Sequence, residues 1–201
     1  VWEYTYQVSS PGVYIVDVID ANGCTSQGTA DVYEFLTASG DFSTEPSCNN
    51  TDGVITMNVI GGSNQFSYQL QDGASANIGA AILGDRNAGI LTGIAPGTYK
   101  VEVTDTETLC SFTVDIQLAA AVPPIISNEI TQDITCFGSD NGSIDILLQF
   151  GTDVDSPIEF ILNNITSGTE HSRNNTGSFV GLPPADYQVE VLTARGCSVL
   201  S

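Results

Sequence analysis

The sequence predicts an all-β chain of tandem immunoglobulin-like β-sandwich repeats of about 87 residues, on three observations. Nearly the same line is written three times, as PGVYIVDVIDANGC at 11–24, PGTYKVEVTDTETLC at 96–110 and PADYQVEVLTARGC at 184–197. Apolar and polar residues alternate at period two through each ordered segment, and no helical period of useful length interrupts them. Cysteines recur at a fixed interval: Cys24 to Cys110, Cys110 to Cys197 and Cys48 to Cys136 are 86, 87 and 88 residues apart.

The thrice-written line is a strand. Tyr14, Tyr99 and Tyr187 sit three residues after the aligned prolines, followed at period two by Val16 and Val18, Val101 and Val103, Val189 and Val191. This predicts one buried face, while Asp17, Glu102 and Glu190 on the alternate positions meet water. A tyrosine opening a strand beside a corner matches the tyrosine corner of such sandwiches, so Tyr14, Tyr99 and Tyr187 are read as structural core. A second block occurs twice, NNTDGVITMNVIGG at 49–62 and GSDNGSIDILLQFG at 138–151. Asp-Gly and Asn-Gly mark a turn there, and Ile55, Met57 and Val59 alternate as Ile144, Ile146 and Leu148 do. FSYQL at 66–70 and IEFIL at 158–162 follow, then LTGIAPG at 91–97 and FVGLPPA at 179–185. The stretch 76–91 is interrupted by glycine and is read as a loop or weak edge strand; its counterpart within 168–178 is shorter and more polar.

Boundaries fall near Leu36 and in the Ala- and Pro-rich stretch 119–124. Residues 1–36 then supply the C-terminal strands of an incomplete repeat, 37–122 one complete repeat, and 123–201 a repeat lacking its last strand.

Against 24 Asp and Glu stand four basic residues, Arg86, Lys100, Arg173 and Arg195, for a formal charge of −20. Nucleic acid is excluded as a partner, because a phosphate backbone needs clustered Lys and Arg. An anionic membrane surface is disfavoured likewise, and no apolar run is long enough for a spanning helix, so no membrane insertion is expected of this segment.

Five cysteines recurring with the repeat, without a CxxC, read as disulfides and favour an oxidising, extracellular compartment. One scheme joins Cys48 to Cys110 and Cys136 to Cys197, leaving Cys24 to pair outside the chain; the other joins Cys24 to Cys48 and Cys110 to Cys136. The first is preferred because a disulfide closing a long loop within a domain is the usual staple. Strand parity would separate them: an even number of strands between two cysteines puts both at one end of a sandwich, an odd number at opposite ends.

No cofactor is expected and no metal site is assigned; Asp52, Asp140 and Asn141 are weak calcium candidates whose turns lack the ligand count and spacing of an EF-hand. His171 stands alone in a polar stretch, and neither a phosphate-binding loop nor a GxSxG or HExxH motif occurs, so no enzyme is expected.

ITCFGSDNGSIDI at 134–146, PGTYKVEVTD at 96–105 and DANGC at 20–24 together resemble the SprB-type repeat of very large cell-surface adhesins of gliding bacteria. The resemblance implies export to the cell surface and tandem modules serving adhesion and surface motility. SCNNTDG replaces TCFGSDNG in the middle repeat and PADY replaces PGTY in the third. The expected role is an extended stalk whose partners are neighbouring repeats of the same chain, with extracellular surfaces or polysaccharides as possible ligands. The alternative is a carbohydrate-binding module, which needs an exposed aromatic platform; Trp2 and Tyr33 are the candidates.

Overall fold

The computed structural model describes every residue except 1–3, 137 and 150–154, and all but the side chains of Phe42 and Ser43. Sixteen strands and no helix occur among the described residues. They fall into one hairpin and two copies of a single arrangement.

The hairpin pairs β1 (Gly12–Ile19) with β2 (Thr25–Val32). The middle repeat has a three-stranded sheet of β3 (Thr37–Thr44), β4 (Gly53–Ile60) and β7 (Ile90–Ile94), in the order β3-β4-β7. Its second sheet runs β6-β5-β8-β9, from β5 (Phe66–Asp72), β6 (Ile82–Gly84), β8 (Gly97–Asp105) and β9 (Ser111–Leu118). The third repeat repeats this order with β10 (Ile126–Gln132), β11 (Gly142–Leu148) and β14 (Ser178–Leu182) in one sheet. The other sheet, β13-β12-β15-β16, comprises β12 (Ile158–Asn164), β13 (Thr169–Asn174), β15 (Tyr187–Thr193) and β16 (Ser198–Leu200). β1–β2, β5–β6, β5–β8, β10–β11, β11–β14, β12–β13, β12–β15 and β15–β16 all pair antiparallel. Residues Ser198–Leu200 form β16 and pair with β15.

The chain divides into two compact units. The first holds 1–43, 55–91 and 98–117; the second holds 44–54, 92–97 and 118–201. In the first, Ile55, Met57, Val59, Phe66, Tyr68, Leu91, Val101, Val103 and Ile116 are buried. In the second, Ile144, Ile146, Phe160, Leu162, Phe179, Leu182, Val189 and Val191 form the core. These are the apolar members of the period-two pattern, facing inward from both sheets as a sandwich requires.

The same pattern ends differently in the first copy. Val101, Val103, Val189 and Val191 are fully buried, whereas Val16 is 38% and Val18 60% exposed. The buried face expected of β1 is therefore exposed. β8 pairs with β5 and β15 with β12, whereas among the described residues β1 pairs with β2 alone and the two form a sheet of their own. Alternation makes a strand amphipathic; burial needs an opposing sheet.

Two of the three tyrosines close a corner, and Tyr187 also packs against the core of the second unit. All three are half-buried. Tyr14 donates its hydroxyl to the Ser10 carbonyl at 2.7 Å and Tyr187 to that of Pro183 at 3.2 Å, each four residues upstream. That is the tyrosine-corner bond, tying the connection before the strand to the strand itself. Burial, with Asp140 as a lesser cause, pushes the Tyr187 phenol above its ordinary pKa.

The turns leading to Cys24, Cys110 and Cys197 close alike. Asp20, Asp105 and Thr193 each donate the backbone N–H to the cysteine carbonyl, at 3.0, 2.9 and 2.9 Å. Their side chains accept from the turn: Asp20 from Asn22 and Cys24, Asp105 from Glu107 and Thr108, Thr193 from Cys197. Asp105 is fully buried and also takes the Ser63 N–H and hydroxyl. Burial alone would raise its pKa, but the hydrogen bonds from Thr108, Ser63 and Glu107 outweigh it and hold the carboxyl below the usual range. Gly62, at φ +67°, makes room, since a Cβ there would meet Asp105 Oδ2 at 2.5 Å.

Candidate functional site

In the second unit, one cation and one disulfide draw together four segments distant in sequence. Cys48 is bonded to Cys197, 149 residues later, with Cα atoms 5.0 Å apart. The Cys48 N–H donates to the Arg195 carbonyl at 2.8 Å, so the bridge is bound to its neighbour in the backbone as well.

Arg195 has five N–H donors and the site offers an acceptor to each. Nε bonds the Pro46 carbonyl at 3.0 Å and Nη2 reaches the same oxygen and that of Ala119, the latter at 2.6 Å. Nη1 meets Glu45 Oε2 at 2.8 Å and Asp155 Oδ1 at 3.3 Å. The Arg195 side chain is 16% exposed, Asp155 17% and Glu45 28%. Asp155 holds the linker by accepting the Val122 N–H at 3.2 Å, and its carbonyl takes the Ala194 N–H at 3.3 Å. The segment opening the middle repeat, the 119–122 linker, the residues before β12 and the β15–β16 turn thus converge on one guanidinium. Its planar fork suits this task, because a lysine ammonium with three donors could not make five bonds to these four acceptors. Beside it Pro46 is fully buried, and a Cβ on Gly53 would meet Pro46 Cγ at 2.8 Å and Leu118 Cδ1 at 3.2 Å.

Neither expected disulfide scheme holds. Cys48 does not pair with Cys110, nor Cys136 with Cys197; Cys24, Cys110 and Cys136 are free and exposed. Five strands, β11 to β15, lie between Cys136 and Cys197, and five, β4 to β8, between Cys48 and Cys110. The doubtful edge strand is real in both copies, so the count is odd and each within-repeat pair sits at opposite ends of its sandwich.

The calcium candidates are turn-closing groups. Asp52 accepts the Ser47 N–H at 2.7 Å and its hydroxyl at 2.6 Å, which hold its carboxyl below the usual pKa. At the equivalent turn Asn141 accepts the Thr135 N–H at 3.1 Å and donates to the Thr135 hydroxyl at 2.9 Å. Asp140 is exposed, and no group of three His, Cys, Asp or Glu suited to a metal ion occurs among the described residues.

His171 lies on β13 rather than in a loop, with its ring edge-on to Tyr187 at 5.5 Å. Tyr33 is committed too: its hydroxyl donates to Glu107 at 2.6 Å, and this bond pushes its pKa up to about 12. Trp2 lies outside the described residues. A cleft of about 650 Å³ in the third repeat is lined by Thr131, Ile134, Gly142, Leu182 and Tyr187. It lies where the middle repeat sets Leu118 against Gly53, the counterpart of Gly142.

Sequence reasoning missed Arg195 and its partners, which lie 40 to 150 residues away. The one available signal was scarcity: a lone arginine beside a cysteine in a chain with four basic residues.

The family model of the SprB repeat matches residues 41–75 and 128–152. The matches occupy corresponding places in the middle and third repeats, and each contains the earlier cysteine, Cys48 or Cys136. No curated protein matches the chain. Among solved structures, a segment of two fibronectin type-III domains from chicken tenascin is similar at 11% identity, with 81% of this chain and 97% of that one covered and a TM-score of 0.33.

Proposed function

From a chain that carries the SprB repeat at two corresponding places, we propose a segment of a large secreted cell-surface adhesin, acting as a stalk in surface attachment and gliding motility. The repeated match carries this reading. The Cys48–Cys197 and Arg195 site supports it, because it ties the start of one repeat to the end of the next covalently and by charge. Load passing along such a chain meets this crosslink as well as the sandwich cores. The net charge of −20 suits crowded parallel filaments, which repel rather than adhere to one another. The reading assigns no catalytic role and no resident cofactor.

Two arms test it. An antibody against residues 37–201 should label intact, unpermeabilised cells of the source organism, and deleting the segment should weaken their attachment. The purified chain should show no saturable binding on a polysaccharide array, with calcium or with chelator. Saturable binding to one glycan would replace the stalk by a carbohydrate-binding module; labelling only after permeabilisation would remove the surface assignment.

A further inference from the structure

We infer that Cys24, Cys110 and Cys136 are links of a disulfide ladder, in which the late cysteine of each repeat bonds the early cysteine of the repeat before it. Cys48–Cys197 is the rung whose two ends both lie in this chain. The inference deepens the stalk reading and rests on its repeat frame.

Two classes of position carry it. Cys24, Cys110 and Cys197 each follow a turn closed by the same backbone bond from Asp20, Asp105 or Thr193. Cys48 and Cys136 each follow Ser47 or Thr135, whose N–H is held by Asp52 or Asn141. The bond that forms joins one member of each class, early Cys48 and late Cys197. Within a repeat the classes stand at opposite ends, five strands apart, so a late cysteine can meet an early one only across a joint. The remaining members, Cys24, Cys110 and Cys136, are exposed, whereas Cys197 is 1% exposed. Charge repeats with geometry: Glu45, three residues before Cys48, pairs with Arg195, and Asp133 stands three residues before Cys136.

The step is an ordinary oxidation. Two thiols lose two protons and two electrons as the S–S bond forms, and a disulfide oxidant such as oxidised glutathione is reduced to two thiols.

The test extends the chain in register, with residues 1–197 followed by residues 111–201. This keeps the whole middle repeat and duplicates the third, joined through the natural linker. The appended copy's Cys197 then faces Cys136 as Cys197 faces Cys48. The extended chain has seven cysteines, five plus two from the copied stretch. After refolding with oxidised glutathione, alkylation should find three free thiols, and non-reducing peptide mapping should link Cys136 to the appended Cys197 besides Cys48 to Cys197. Five free thiols with Cys48–Cys197 formed would overturn the ladder, as would a bond between the two cysteines of the appended copy. A version with Cys24→Ser and Cys110→Ser removes competing thiols and should give one free thiol. Two bonds there with the same links support the ladder, and any other pairing ends it. No binding is read, so this result and that of the glycan array are independent.

Discussion

Arg195 shows how one side chain can hold four distant segments together. A guanidinium with five satisfied donors and two carboxylate partners is costly to disturb, because removing it leaves Glu45 and Asp155 facing each other without a cation. Arg195→Ala should cost about 3 kcal/mol by urea denaturation of the second unit, the lower end of the range for breaking a buried pair. Arg195→Lys should recover only part of it, since an ammonium keeps the charge and loses the fork. A loss no larger than that of an exposed pair would contradict the site. Asp105 makes the companion prediction through pH. Its folded pKa lies below the unfolded value of about 3.9, so its stabilisation is present above that value and lost as pH falls through the folded one. Asp105→Asn should therefore be less stable than the parent at pH 7, with the gap narrowing under acid in urea melts; a gap independent of pH would remove the carboxylate from the account.

At the scale of the element, identical strands meet different fates. β1, β8 and β15 share one pattern, yet Val18 is 60% exposed where Val103 and Val191 are fully buried. Val191→Ala should cost about 2 kcal/mol, from lost apolar burial and the cavity left behind. Val18→Ala should stay within about 0.5 kcal/mol, as an exposed substitution does. Equal losses would show β1 to be covered. The strands themselves were legible because alternation and the corner tyrosines are local signals. β6 was only doubtful because Ile82–Gly84 is three residues inside a glycine-broken stretch, and β13 is wholly polar, TEHSRN, with no period to read. That uncertainty over one edge strand left the parity open and allowed the wrong disulfide scheme.

At the scale of the whole chain, the repeat frame and all-β class follow from the sequence, while the joint does not. Glu45, Ala119, Asp155 and Arg195 belong to four segments whose meeting depends on how the strands reverse, and no local spacing announces it. Asp52 and Asn141, by contrast, close turns within their own segments, where a local reading of residue type and turn suffices. The Cys48–Cys197 disulfide closes a loop of 149 residues, for which loop-closure entropy predicts a stabilisation of up to about 5 kcal/mol.

The most direct measurement is a non-reducing peptide map of the chain, oxidised and alkylated after purification from an oxidising compartment. The account predicts a linked pair of peptides carrying Cys48 and Cys197, with Cys24, Cys110 and Cys136 alkylated. Peptides joining Cys48 to Cys110, or Cys136 to Cys197, would place the staples inside the repeats and contradict the joint on which the account rests.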